Sequence, residues 1–199
     1  AQVSLLGDRT PPSIEFRESG ASFTAAVAGR TLAPFVRVED ADPSVQSTVT
    51  LDGSPFTSGS EVGAEGEHLL RATAIDCAGN QSTKEHTFTV DLTPPRFLTF
   101  EPPNGARVTD VPLALRGTVD ADAVEVRLGS TTAPVANGAF SIDAAFGDGI
   151  NTRVLEVVDR AGHIGRTTYT LGVRTTQPLV DIVENDEPIT DGTLFNRAV

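Results

Sequence analysis

The chain has 199 residues, of which 15 are basic and 27 acidic, and its net charge is −12. An acidic chain without a basic run lacks the surface that nucleic acid or an anionic membrane would need. No apolar stretch approaches the roughly 18 residues of a membrane-spanning helix. The single cysteine excludes an internal disulfide and a multi-cysteine metal site. We therefore expect neither nucleic-acid partners nor insertion into a membrane.

An internal repeat organises the sequence. The motif Asp8-Arg-Thr-Pro-Pro12 returns as Asp91-Leu-Thr-Pro-Pro95, and Asp76-Cys-Ala-Gly-Asn80 returns as Asp159-Arg-Ala-Gly-His163, both 83 residues later. Several motifs that keep one offset indicate duplication.

The duplication predicts two complete units, 10–92 and 93–175. We expect residues 1–9 to be the end strand of a preceding repeat or an N-terminal extension. Residues 176–199 are expected to contain the first strand of an incomplete third repeat, around Leu179–Val183. One strand cannot bury its apolar face alone, so we expect it to pack on another polypeptide or another part of the same precursor.

Apolar and polar residues alternate with a period of two within each unit, which predicts strands and essentially no helix. In chain order we expect strands in the first unit near 13–18, 32–39, 46–52, 54–57, 60–63, 68–75 and 82–90. In the second unit we expect them near 96–100, 111–119, 122–128, 132–135, 139–143, 151–158 and 164–173. About seven short strands per unit predict an all-β chain of tandem immunoglobulin-like β-sandwich domains.

The repeated motifs resemble a known family. Thr10-Pro11-Pro12, Asp52-Gly53, Gly66 with His68, and the turn Asp76–Asn80 are similar to the tandem bacterial Ig-like (Big-type) repeats of large surface and secreted proteins. The second unit departs at the Asp-Gly position, where Leu128-Gly129 stands. The resemblance implies a stalk, spacer or adhesive module that is extracellular or located at the cell surface.

The Asp-x-Ala-Gly-x motif is predicted to form the turn between the last two strands. Asp76 and Asp159 can accept backbone hydrogen bonds, while Gly79 and Gly162 supply a positive φ. The alternative interpretation is calcium, because several acidic loops of a sandwich lie at the same end. The calcium candidates at the two junctions are Asp8, Asp40, Asp42 and Asp76, and then Asp91, Asp120, Asp122 and Asp159. We predict no cofactor, since turn chemistry alone explains these residues.

The remaining motifs predict no catalytic site. Thr-Pro-Pro favours an extended, semi-rigid linker, because proline fixes φ and removes a donor. Cys77 corresponds to Arg160 in the second unit, so we interpret it as an incidental thiol. His68, His86 and His163 are interpreted as polar strand or turn residues.

The sequence therefore predicts a non-enzymatic structural or spacer segment of a large exported bacterial protein. Its partners would be other domains of the same or a cleaved precursor chain. One alternative is an adhesive module that binds a surface protein or a glycan, stiffened by calcium. Another is an accessory segment of a large secreted enzyme or toxin whose catalytic part lies elsewhere.

Overall fold

The computed structural model of the protein describes residues 7–41, 43–110, 113–175, 183–184 and 187–188. Every regular element in these ranges is a β-strand, as the two-residue periodicity predicted. The described residues contain no helix that is long and apolar enough to cross a bilayer.

The first unit forms two sheets. Its strands are β1 (Ser13–Glu18), β2 (Ala21–Ser22), β3 (Val27–Ala28), β4 (Phe35–Glu39), β5 (Gln46–Leu51), β6 (Ser54–Pro55), β7 (Gly66–Ile75) and β8 (Gln81–Val90). One sheet has the order β2-β1-β4 and the other β3-β8-β7-β5-β6. All neighbouring strands are antiparallel except β3, which runs parallel to β8.

The second unit repeats the five-stranded sheet and differs in the three-stranded one, where its first strand lies at an edge. Its strands are β9 (Phe97–Glu101), β10 (Arg107–Val108), β11 (Leu113–Val119), β12 (Ala123–Leu128), β13 (Thr131–Pro134), β14 (Ala139–Ala144), β15 (Gly149–Asp159) and β16 (Ile164–Val173). The sheets have the orders β14-β11-β9 and β10-β16-β15-β12-β13, again with one parallel pair, β10 and β16. A short hairpin, β17 (Val183–Glu184) and β18 (Glu187–Pro188), follows. Most of the strand predicted at Leu179–Val183 lies outside the described residues.

Each pair of sheets encloses its own core, because most of the buried residues on the longer strands are apolar. The first core is centred on Phe16, Leu70 and Phe88, and the second on Leu115, Leu155 and Tyr169. No strand of the described ranges pairs across the Thr-Pro-Pro sequence between β8 and β9. The protein is thus built of tandem immunoglobulin-like β-sandwich domains.

The hairpin turn between β5 and β6 differs in type from its counterpart between β12 and β13. Asp52 and Gly53 both have positive φ, 52° and 79°, as in a type I′ hairpin. In the second unit only Gly129 has positive φ, 60°, which fits a type II′ turn with glycine at its first central position. The departure seen at Leu128-Gly129 is therefore a change of turn type that still makes a hairpin.

Two expectations about the first unit are wrong. The predicted strand at 60–63 is reduced to one isolated bridge between Val62 and Leu32, and the strand predicted at 32–39 begins only at Phe35. Pro34 has no amide hydrogen to continue a ladder. Instead, its carbonyl accepts from the Gly59 amide at 2.8 Å, so the chain between β6 and β7 docks as a loop.

Candidate functional site at the junction between the repeats

The Asp-x-Ala-Gly-x turns lie where each unit meets the chain that precedes it. In the first turn, Asp76 is 5% exposed. Its Oδ1 accepts the Asn80 amide at 2.8 Å and its Oδ2 accepts Nδ2 of Asn80 at 2.7 Å. Gly79 has a φ of 88°, as the turn interpretation predicted. Burial raises the pKa of Asp76, but the hydrogen bonds from Asn80 outweigh it, so the pKa lies below its ordinary value.

The first junction brings together three of the four predicted calcium candidates. Carboxylate oxygens of Asp8, Asp40 and Asp76 lie within 4.8 Å of one another. Asp42 lies outside the described residues. Nδ2 of Asn80 donates to the Asp8 carbonyl at 3.3 Å as well as to Asp76, so an amide already occupies one side of this cluster. Calcium binding here stays a prediction.

The second junction assembles a different group. Asp91, Asp159 and His163 each place one ligand atom within 4.8 Å of the other two. Asp120 and Asp122 are not members of this group. Oδ2 of Asp120 instead accepts the Arg96 amide at 2.8 Å. His163, which was not predicted as a ligand, occupies the position of Asn80 in the repeated turn.

An acidic residue that immediately precedes β7 or β15 accepts hydrogen bonds from the chain at the end of each unit. Oε1 of Glu65 accepts the Leu92 amide at 2.9 Å and the Thr93 hydroxyl at 2.6 Å. These two hydrogen bonds, that from Thr93 first, lower the pKa of Glu65. Asp148, 83 residues after Glu65, accepts the Thr175 amide at 2.9 Å in the same way. The repeated acid therefore fixes the chain as it leaves each unit.

The two units touch beside this linker. A Cβ added to Gly29 of the first unit would lie 2.6 Å from the Ala161 carbonyl oxygen and 3.1 Å from the His163 ring in the second. Gly165 lies against Pro95 so closely that an added Cβ would overlap the proline carbonyl. Both glycines therefore permit a close backbone approach at the junction.

The third residue of β7 and of β15 has a structural role. Both ring nitrogens of His68 face acceptors, Oδ2 of Asp52 at 2.8 Å and the Ala64 carbonyl at 2.9 Å. Asn151 makes the equivalent contact in the second unit, where its Nδ2 donates to the Gly147 carbonyl at 2.7 Å. The Gly-x-(His/Asn) pattern thus secures the preceding loop.

The chain resembles known proteins among solved structures alone. No protein-family model matches the chain, and no curated protein matches it in sequence. Among similar solved structures are the eight N-terminal Ig domains of Down Syndrome Cell Adhesion Molecule, at 15% identity and a TM-score of 0.46, covering 82% of this chain and 25% of that one. The fibronectin(III)-like modules of Clostridium thermocellum CbhA are 13% identical with a TM-score of 0.40, and the match covers 80% of this chain and 94% of that one. A segment of Drosophila N-cadherin is 15% identical with a TM-score of 0.31, and the match covers 83% of this chain and 50% of that one.

The chain spans a quarter of the first of these structures and half of the third. With identities this low and TM-scores below 0.5, they carry no argument about activity or partners. The Ig-like assignment rests on the strand order of the paired sheets.

Proposed function

We propose that the chain is a non-enzymatic structural segment, a spacer of tandem Ig-like domains in a large exported bacterial protein. It acts outside the cell or at its surface, and its neighbours are other domains of the same or a cleaved precursor chain. The units that act as spacers are 10–92 and 93–175.

The observation that carries this proposal is the restrained junction. Glu65 holds Leu92 and Thr93 by two hydrogen bonds, and two prolines then restrict the backbone. Gly29 and Gly165 allow backbone to pack against backbone on either side of the linker. A connection of this kind favours a fixed relative orientation of its domains, whereas a glycine- and serine-rich linker would leave them free.

Residual dipolar couplings and small-angle scattering test the proposal. In the wild-type chain, we expect one alignment tensor to fit the amides of both units and the scattering to show an elongated particle. The matched control replaces Thr93-Pro94-Pro95 by Gly-Ser-Gly, which should give each unit its own tensor. Separate tensors in the wild-type chain, or a compact particle, would contradict the spacer function.

An adhesive module that uses calcium is the second candidate, favoured by the approach of Asp8, Asp40 and Asp76. It predicts that calcium raises the melting temperature of the first unit and that Asp40→Asn removes this effect. Asp143→Asn, an exposed acid on β14, is the matched control and should keep it. If saturating calcium leaves the melting temperature unchanged, the calcium part of this candidate is wrong.

A further inference from the structure

The two copies of the Asp-x-Ala-Gly-x turn differ in how they satisfy their aspartate. In the first copy, the Asn80 side chain donates to Oδ2 of Asp76. In the second copy, Oδ1 of Asp159 still accepts the His163 amide at 2.9 Å. Oδ2, however, has no hydrogen-bond partner among the described residues, although the Asp159 side chain is fully buried. A buried carboxylate oxygen without a partner is costly, so a missing partner is indicated.

His163 leaves a second atom without a partner at the same place. Its Nδ1 is buried, forms no hydrogen bond with the described residues and lies 3.6 Å from Oδ2 of Asp159. That separation is longer than a hydrogen bond. It is close to the roughly 3.3 Å between two ligand atoms that each lie about 2.0 to 2.1 Å from a tetrahedral metal ion. The two atoms are therefore spaced to share an ion.

A third ligand comes from the other unit. The Asp91 carboxylate follows the last strand of the first unit, and one of its oxygens lies within 4.8 Å of a ligand atom of Asp159 and of a ligand atom of His163. Asp91 is half-buried, and its Oδ1 also accepts the Thr93 amide at 3.2 Å. One imidazole and two carboxylates converge from both sides of the linker.

We propose that Asp91, Asp159 and His163 bind one divalent first-row transition ion, with Zn²⁺ as the best match, at the junction of the two units. Zinc accepts mixed imidazole and carboxylate ligands, with water completing the coordination. Calcium takes six to eight oxygen ligands, so an imidazole makes a poor member of its shell. The ion satisfies the buried Oδ2 of Asp159, and its ligands from both units hold them together. This site goes beyond the spacer function and does not depend on it.

His163→Asn provides a direct test, because it gives the second turn the residue that the first turn carries at Asn80. Asparagine can donate to Oδ2 of Asp159, so the turn should stay folded while the nitrogen ligand is lost. By calorimetry we expect the wild-type chain to bind one Zn²⁺ and His163→Asn to bind none. His86→Asn, which changes a histidine outside the group of three ligands, is the matched control and should bind as the wild type does.

Zinc should also raise the melting temperature of the wild-type chain by several degrees. Asp91→Asn should lose this gain, since it removes a ligand while an oxygen remains for the Thr93 amide. Zinc binding that survives in both junction variants would overturn the proposal. So would a calcium response as large as that to zinc and retained in His163→Asn.

The wild-type protein offers a test that no variant's folding can obscure. Nitrogen-15 correlation spectra of the imidazoles should show Nδ1 of His163 shifting as one equivalent of Zn²⁺ is added. The signals of the other two histidines are assigned from His68→Asn and His86→Asn. If the His163 ring is unaffected by zinc, the site is not there.

Discussion

Equivalent positions of the two units can make the same kind of contact with different side chains. Nε2 of His86 donates to the Ala25 carbonyl at 3.1 Å. Tyr169, 83 residues later, donates its hydroxyl to the Pro102 carbonyl at 2.9 Å. Both contacts hold the chain just before it reaches the short strand beside β8 or β16. The contact made from this position is kept, although the side chain that makes it differs.

His68 should make the stability of the first unit depend on pH. Burial lowers the pKa of His68, but its hydrogen bonds to Ala64 and Asp52 outweigh burial and raise the pKa above 6.5. Only the imidazolium can donate from both nitrogens. Its stabilisation is therefore complete below about pH 6.5 and is lost as the pH rises through the folded-state pKa. Raising the pH from 6 to 8.5 should lower the denaturant midpoint of the first unit, because these two values bracket the titration.

His68→Asn, which copies Asn151, should flatten that part of the profile, and His86→Asn should not. The partner titration has the opposite sign. The pKa of Asp52 is lowered, first by the His68 hydrogen bond and then by the Leu69 amide, so its contribution is lost as the pH falls below 3.8. Equal slopes in wild type and His68→Asn would show that the pair contributes nothing.

Tyr169→Phe should destabilise the second unit by about 1 kcal/mol, the usual net value of one hydrogen bond. Tyr169 is 0% exposed, so the Pro102 carbonyl would lose its donor in a buried place. The change removes one oxygen and leaves the ring contacts with Phe100 and Phe146. Denaturant unfolding measures the difference, and an unchanged midpoint would mean that water replaces the hydroxyl.

At the scale of elements, the long strands were predictable and the short ones were not. Toward their C-terminal ends, β7, β8, β15 and β16 alternate between buried and more exposed residues. Their observed bounds lie within two residues of the predicted ones. β2, β3 and β10 have two residues each and no period to detect. The Ser19-Gly20 pair, with φ of 50° and 84°, was a hairpin signal for β2. The parallel pairing of β3 with β8, and of β10 with β16, depends on where the chain crosses the sandwich. No local sequence pattern encodes that crossing.

Gly165→Ala should separate the linker from β16. The new methyl group would overlap the Pro95 carbonyl oxygen and crowd Val157, so Pro95 or the strand must move, at a cost of about 2 kcal/mol. Gly147→Ala is the matched control, because nothing lies within 4 Å of its Cβ position. Thermal unfolding of both variants checks this. Equal melting temperatures would show that the linker is not packed on the strand.

For the whole molecule, the constant 83-residue offset was the decisive sequence signal, since it revealed the duplication without any structural information. The acidic candidates were only partly predictable. Turn contacts such as Asp76 with Asn80 span four residues and follow from turn chemistry. The meeting of Asp91 with His163 requires two folded units to pack against each other, which depends on non-local contacts such as that of Gly29 with Ala161.

Glu65→Ala should loosen the junction without unfolding either unit. The Leu92 amide would lose its acceptor, and its hydrogen exchange should become several-fold faster because the linker opens locally. Asp148→Ala is the control. It should accelerate exchange at Thr175 and leave Leu92 unchanged. Exchange at Leu92 that is the same in both variants would show that Glu65 does not restrain the linker.

The parallel pairs have a mechanical consequence. The amides of Thr89 and Asp91 donate to Ala26 and Ala28, at 2.8 and 3.0 Å, and those of Gly172 and Arg174 donate to Ala106 and Val108, both at 2.9 Å. Tension along the chain pulls the two members of each pair in opposite directions along the strand axis. Their bonds are then loaded in shear and must break together, whereas a hairpin unzips one bond at a time. In each sandwich, the parallel pair near the two ends of the unit therefore resists stretching of the chain.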